Sequence, residues 1–289
     1  SSRSSWDNAI SAHLGDLPFD CAGKGEQCRI QLRLAVADAS KSRVLLIEEP
    51  ENHLSYSSLN TLLKEIEDDS SHQQVVITTH SAFVLNKLGV NNLKLLSNNG
   101  LTASLTDLSP DTVNYFMKLP GFDTLRLILA NKCILVEGPS DELIVQRAYK
   151  NKHGKLPLED GIDVISVRGL AFKRFLEIGA LLELNIRVVT DNDGNVEALK
   201  KKYEGYLNNE HPTIKICFDD DEEHKTLEPQ LLKANSLEIL NTILDQEFTS
   251  DFDLLEHMKK PGNKTECALM MFESSTTWNA PRYIQNAIE

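Results

Sequence analysis

Between residues 131 and 218, four short apolar runs, "CILVEG" (133–138), "DVISVRG" (163–169), "RVVTDND" (187–193) and "TIKICF" (213–218), alternate with stretches of helical periodicity. Spacers of that length are too long for hairpin turns, so successive strands must return in the same direction over a helix. The pattern predicts a parallel α/β sheet, with helices from Ser140 through Lys150, over "FKRFLEIGALLEL" (172–184) and over "VEALKKKYEGYL" (196–207). After Glu228 the pattern is mainly helical to the end. A smaller unit of the same kind precedes it: strands "RVLLIEE" (43–49) and "QVVITTH" (74–80) flank the helical "SSLNTLLKEIED" (57–68). Two short alternating runs around Asn98-Asn99-Gly100 then read as a hairpin closing that first region. The chain therefore divides into residues 1–125 and 126–289.

Open parallel sheets form sites beyond the carboxyl ends of their strands, where loops and helix N-termini converge. That rule selects Glu48, Glu49, His80, Glu137, Asp191 and Asp193.

Composition narrows the chemistry. A net charge of −13 argues against coating nucleic acid by bulk attraction, because phosphate neutralisation needs clustered Lys and Arg. It leaves room for an acidic site that holds divalent cations. Local basic groups at Lys200-Lys201-Lys202, at Arg168 with Lys173-Arg174, and at Lys259-Lys260 are first of all solvated helix faces, though they can touch a phosphate backbone. Five scattered cysteines without a CxxC pair suggest neither a disulfide framework nor a zinc site. No apolar run approaches the roughly 18 to 20 residues of a membrane span, and the first 20 residues lack a signal peptide's basic-then-apolar order, so a cytoplasmic protein is expected.

In the first region, "LLIEEPENHL" ends a buried strand in Glu48 and Glu49, where a plain turn would more readily carry Asn, Gly or Ser. In a nucleotide hydrolase the first acid would hold Mg²⁺ through water and the second would polarise the attacking water. "VVITTHS" ends the next strand in His80, a candidate γ-phosphate sensor. Upstream, "GKGEQ" (Gly23, Gly25, Glu26, Gln27) precedes the helical "CRIQLRLAVADA" and could meet phosphate at a helix N-terminus. Each piece alone is as well explained by a strand end, a loop histidine or a simple turn. In this order and spacing they resemble the C-terminal half of an ABC-type ATPase head, with signature loop, Walker B, D-loop at "PENHLS" and switch histidine. The D-loop carries Ser55 where many relatives carry histidine. The sequence contains no GxxxxGK[ST], and "PGNKTE" (261–266) lacks both the first glycine and a preceding strand. The chain alone is therefore expected not to hydrolyse ATP.

In the second region, Glu137 ends one strand, Asp141 follows in the first turn after a Ser140 N-cap, and Asp191 and Asp193 end another strand of the same sheet. Alternate positions on an extended strand end point to one side, so the two aspartates are expected to address one ion. Four acids so close would repel one another strongly without cations, and oxygen donors suit Mg²⁺ or Mn²⁺. A calcium loop of the EF-hand type fails, since counting from Asp191 the sixth and twelfth positions are Val196 and Lys202. A haloacid-dehalogenase-like phosphatase fails on spacing, with too little chain between Asp191 and Asp219 for the motifs that should separate them.

The remaining pattern, Glu137 after one strand and Asp191-x-Asp193 after a later one, resembles the Toprim domain over about residues 131–235, with "LVEGPSDE" as its most specific piece. An ABC-type head followed by such a domain resembles the OLD family of nucleases, which includes the nuclease subunit of the Gabija anti-phage system. The resemblance implies an α/β chain: half an ATPase head, then a Toprim sheet with a helical C-terminal region. It also implies a DNA endonuclease using two ions of Mg²⁺ or Mn²⁺, ATP bound by a complete head, a homo-oligomer formed through that head, and a helicase-like partner. The downstream "TLEP" and "GNKTECAL" look like that family's continuation and would make Glu228 a second-metal ligand and Lys264 a catalytic lysine. The metal set is then Glu137, Asp141, Asp191, Asp193 and Glu228. Read alone, Glu228 is a helix start and Lys264 a surface lysine. The rival function is a dimerisation and regulatory module with an inactive Toprim domain.

Overall fold

The computed structural model describes residues 12–38, 43–69, 73–96, 102–119, 124–167, 172–208 and 210–289. The Asn98-Asn99-Gly100 turn, Arg168 and Gly169 lie outside them. The chain forms two compact units, Ser1–Val90 with Tyr115–Gly121, and Asn91–Asn114 with Phe122–Glu289. This division differs from the expected cut near residue 125 over residues 91–114 and 122–125. The hairpin thought to close the first region clusters with the second unit.

In the first unit, a short antiparallel pair, β1 (His13–Leu14) and β2 (Leu17–Pro18), leads into α1 (Lys24–Asp38). Then β3 (Val44–Glu48), α2 (Tyr56–Asp69), β4 (Gln74–Thr78) and α3 (Ala82–Leu88) follow. Strands β3 and β4 pair in parallel, with Leu46 opposite Val76. Leu45 and Ile47 turn inward onto Leu62 and Ile66 of α2, as strand alternation against an amphipathic helix requires. The other face of β3 and β4 leaves Val44, Leu46 and Val76 exposed, Leu46 at 75%.

The second unit opens with the antiparallel β5 (Lys94–Leu96) and β6 (Thr102–Ser104). After α4 (Pro110–Lys118), of which only Pro110–Asn114 falls in this unit, and α5 (Thr124–Leu129) comes the expected alternation: β7 (Lys132–Val136), α6 (Pro139–His153), β8 (Ile162–Ser166), α7 (Phe172–Leu181), β9 (Asn185–Val189), α8 (Val196–Lys202), α9 (Glu204–Leu207), β10 (Ile214–Cys217). The one helix expected over 196–207 breaks at Tyr203, whose ring is buried edge-on against Phe172. All four strands are parallel, in the order β10-β9-β7-β8. The chain thus steps from β7 to β8 on one side and then to β9 on the other, and the order reverses between β7 and β9.

Five further helices, α10 (Leu227–Ala234), α11 (Leu237–Leu244), α12 (Asp251–Lys259), α13 (Lys264–Glu273) and α14 (Arg282–Ala287), build out one face of the sheet: α14 packs on β9 and β10, α13 on α6, α11 and α12 on α13, and α10 on α12. They share a core in which Ile134, Val136, Val164 and Val189 of the strands and Ile144 and Val145 of α6 meet Leu240, Leu254, Met271, Trp278 and Ile284. Trp278 Nε1 donates to Met271 O (3.1 Å), and Arg147 of α6 donates to Phe272 O and Ser274 O, tying α6 to the end of α13. On the other face α7 approaches β9 so closely that a Cβ on Gly179 would fall 2.1 Å from Ile186 Cδ1. Met271 is fully buried on the helix that starts at Lys264. Met271→Ala is expected to lower unfolding free energy by about 2–5 kcal/mol in a denaturant titration, the range for a buried large-to-small change.

Candidate functional site: acids at the sheet switch point

Ligands of open α/β sheets bind where strand order reverses. Here that crevice lies beyond the ends of β7 and β9, and Glu137 and Asp191 stand at those ends. Glu137 Oε1 accepts hydrogen bonds from Thr190 Oγ1 (2.7 Å) and the Asp191 backbone N–H (3.1 Å), while Ser166 Oγ at the end of β8 donates to Glu137 O. The carboxylate is thus oriented by the neighbouring strand end.

Helix α6 begins at Pro139, with Gly138 as N-cap, rather than at Ser140. Proline at the first helical position loses nothing, because that N–H has no partner in a helix. Asp141 falls at the third helical position and its Oδ2 accepts from the Gly138 N–H (3.1 Å), a local bond that aims the carboxylate back toward β7. Burial first, then the Glu137 and Glu228 carboxylates, pushes Asp141 up to about 7.

The Asp191-Asn192-Asp193 segment corrects a premise of the sequence reading. Strand β9 ends at Val189, and Asp193 is exposed at φ 52° in the left-handed region, so loop geometry and not strand alternation sets the two carboxylates. Asn192 is buried between them: its Nδ2 donates to Asp219 O and Asp221 O (2.8 Å each) and its Oδ1 accepts from the Gly194 N–H (2.8 Å). The Asp193 N–H donates to Lys225 O and the Val196 N–H to Glu222 Oε1. The acidic tract 219–225 is therefore a wall that clasps this loop. Burial, followed by Asp141, Glu137, Glu228 and Asp193, pushes Asp191 up to about 9.

Glu228 lies in the first turn of α10 and is only 6% exposed. Thr226 Oγ1 donates to its Oε2 (3.1 Å), and Lys264 Nζ, from the first residue of α13, sits 3.0 Å from its Oε1. Helix start and site residue are the same position, and the lysine is paired with the acid.

Glu137, Asp141, Asp191, Asp193 and Glu228 are thus brought into one electrostatic neighbourhood. Their oxygen-only donor set, with Asp141 and Asp191 raised by burial and by the acids around them, fits a hard divalent cation, which relieves like-charge crowding. Among the described residues the one trio of ligand atoms within 4.8 Å of one another is elsewhere, at Asp221, Glu223 and His224. Asp221 there is already satisfied by Lys233 Nζ and His224 Nδ1, which hold it well below the usual carboxylate range.

Sequence reading missed two buried phenols beside the acids. Tyr203 feels Glu137 and Asp193, and Tyr283 feels Asp191, Asp141, Glu137 and Glu228; burial raises both above the usual phenol range. No local motif announces either.

In the first unit, Glu49 lies at φ 43° after β3; its Oε2 accepts from Asn52 Nδ2 (2.7 Å), and its Oε1 is 3.2 Å from His80 Nε2. Glu51 Oε1 accepts from Thr79 Oγ1 (2.7 Å) and the His80 N–H (2.8 Å), latching the end of β4 to the loop after β3. Glu48 ends β3 opposite Thr78. The glycine segment differs from expectation. Helix α1 starts at Lys24, so Gly25, Glu26 and Gln27 are helical, and Gln27 Nε2 reaches back to Phe19 O and Ala22 O (2.9 Å each). Glu26 pairs with Arg29, and Gly23 O accepts from the Glu26 and Gln27 N–H groups. Gly25 is demanded by packing: a Cβ there would lie 2.3 Å from His53 O.

The two units define a class: an ATPase-type unit on the same chain as a parallel-sheet domain whose acids meet at its switch point. Within that class, residues 128–193 match the TOPRIM domain of overcoming lysogenization defect (OLD) protein-like sequences. Residues 12–86 match an AAA domain described as a putative AbiEii toxin of a type IV toxin–antitoxin system. Among solved structures, the C-terminal region of the OLD protein of Xanthomonas campestris pv. campestris is 22% identical, covering 56% of this chain and 92% of that one at a TM-score of 0.42. The C-terminal region of the Burkholderia pseudomallei OLD protein is 20% identical, covering 55% and 96% at a TM-score of 0.40. No curated protein sequence matches the chain. Among the described residues no helix is long and apolar enough to cross a membrane.

The raised acids set a pH dependence. Their folded-state values exceed the ordinary carboxylate value of about 4, so between that pH and about 9 the fold binds more protons than the unfolded chain. Without divalent cations, stability should fall as pH rises through about 7 and about 9. Asp191→Asn, which is neutral without having to take up a proton on folding, should raise the metal-free melting temperature at about pH 8 and reduce the gain in melting temperature on adding Mn²⁺. A variant that melts lower than the wild type in chelator would contradict the crowding account.

Proposed function

We propose that the chain is a metal-dependent DNA endonuclease, cutting phosphodiesters at the acid cluster and regulated through its ATPase-type unit. The observation that carries the reading is that buried and neighbouring carboxylates gather at the one place in the sheet where strand order reverses, with Asp141 and Asp191 raised first by burial and then by the acids around them. Glu137, Asp191 and Asp193 would hold one Mg²⁺ or Mn²⁺, and Asp141 with Glu228 a second. Bound there, such ions would supply Lewis acidity and lower the pKa of a coordinated water.

The chain's own groups supply the rest. Thr190 and the Asp191 N–H engage one Glu137 oxygen and leave the other for the site. Lys264 balances Glu228 and adds a fixed positive charge beside the acids, the sign needed where negative charge grows on a reacting phosphate. Lys264→Ala is expected to slow Mn²⁺-dependent nicking of supercoiled plasmid about 10²–10³-fold, the scale for losing one preorganised donor. Glu137→Ala should do at least as much. Full nicking by either variant would overturn this assignment of the site, whereas no Mn²⁺ uptake by the wild-type chain would favour the rival reading, an inactive regulatory module.

For the first unit we propose that Glu48, Glu49 and His80 address ATP in a complete head. The Glu49–His80 pair and the Glu51 latch support this, since they hold an acid and a histidine together at two adjacent strand ends. The exposed apolar face of β3 and β4 is what a further layer of such a head would cover. Gly23, Gly25, Glu26 and Gln27 would contribute through the start of α1 rather than as a loop. Closure on nucleotide would make the protein a homo-oligomer, and a role in anti-phage defence in the cytoplasm beside a helicase-like partner accompanies this reading. Native mass spectrometry with and without ATP should show a larger assembly with nucleotide. A monomer in both conditions would remove the clamp.

A further inference from the structure

Tyr283 sits near the end of the chain, on α14, a helix that packs on β9 and β10 and on α6. These elements lead directly to the site: β9 runs on to Asp191 and α6 begins two residues before Asp141. The residue is 2% exposed, its ring lies in the apolar core with Val136, Ile144 and Val189, and its hydroxyl has no hydrogen-bond partner. A buried hydroxyl without a partner costs free energy, so it is retained only where something else is gained. The core it shares includes Val136 and Val189, one residue before Glu137 and two before Asp191, and after burial the charges that act on this phenol are the carboxylates of Asp191, Asp141, Glu137 and Glu228.

We propose that Tyr283 is a positioning residue for the cation site: its hydroxyl donates to the Asp191 carboxylate when that group turns to hold a divalent ion. The inference rests on the metal-dependent reading above. A phenol suits the task because its O–H donates a hydrogen bond without adding a positive charge that would compete with the ion. Lys264 neutralises Glu228; Tyr283 would orient Asp191 and leave its charge available. Such outer partners fix a ligand's direction, and losing one weakens metal affinity about 10–100-fold.

The test is Tyr283→Phe in the full chain, which removes the hydroxyl and keeps the ring. Mn²⁺ binding is followed without DNA, by electron paramagnetic resonance of the free ion, and melting is followed in chelator. The expected result is affinity weaker by about 10–100-fold, with metal-free melting equal to or above the wild type because an unpartnered polar atom has gone. Equal Mn²⁺ affinity of the two chains would overturn the proposal. So would a loss of metal-free stability matching the loss of affinity, the mark of a structural role. Absence of Mn²⁺ uptake by the wild type would overturn the cation reading itself and this proposal with it.

Discussion

Like charges crowded at a reversal of strand order are what the second unit is organised around. A parallel sheet gives no choice about where its strand ends converge, and this chain has placed carboxylates there that burial and one another make reluctant to ionise. Other features act to tolerate or direct that repulsion. Thr190 and a backbone N–H hold Glu137 in one direction, the start of α6 holds Asp141, and Lys264 is brought from far along the chain to face Glu228. The apolar core beneath keeps water away, which strengthens both the repulsion and its compensation.

Much of this was legible. Strands β7, β8, β9 and β10 follow from short apolar runs between helical spacers, and Glu137, Asp191 and Asp193 follow from the rule that strand ends carry sites. The errors are local and instructive. Helix α6 starts at Pro139 because proline and a glycine N-cap outweigh the serine that follows. The aspartate pair is set by a left-handed residue and a buried asparagine, because the strand had already ended. Tyr283 and the wall at 219–225 were invisible because each depends on contacts between residues distant in sequence, and an acidic tract read along the chain looks like a solvated surface. Here it is a clasp made through its backbone carbonyls.

The ATPase-type unit teaches a related lesson about glycine. "GKGEQ" invites a phosphate-cradling interpretation, yet Gly25 is required because His53 O approaches where a Cβ would stand. That contact joins the start of α1 to the loop carrying Glu49, Glu51 and Asn52. The alternating burial along β3 was predictable, whereas the apolar residues on its outer face were not distinguishable from core residues by pattern alone, since a strand covered on both faces reads the same way.

The segment that matches the TOPRIM model ends at Asp193, but Glu228, its partner Lys264 and the buried Tyr283 lie beyond it. Arg147 ties α6 to the far end of α13, and α14 lies on the strand leading to Asp191. Chains are made from the N-terminus, and domains fold as units. The ribosome therefore releases Glu137, Asp141, Asp191 and Asp193 before Glu228 and Lys264, and Lys264 can face Glu228 only once α10 and α13 have both been made and packed.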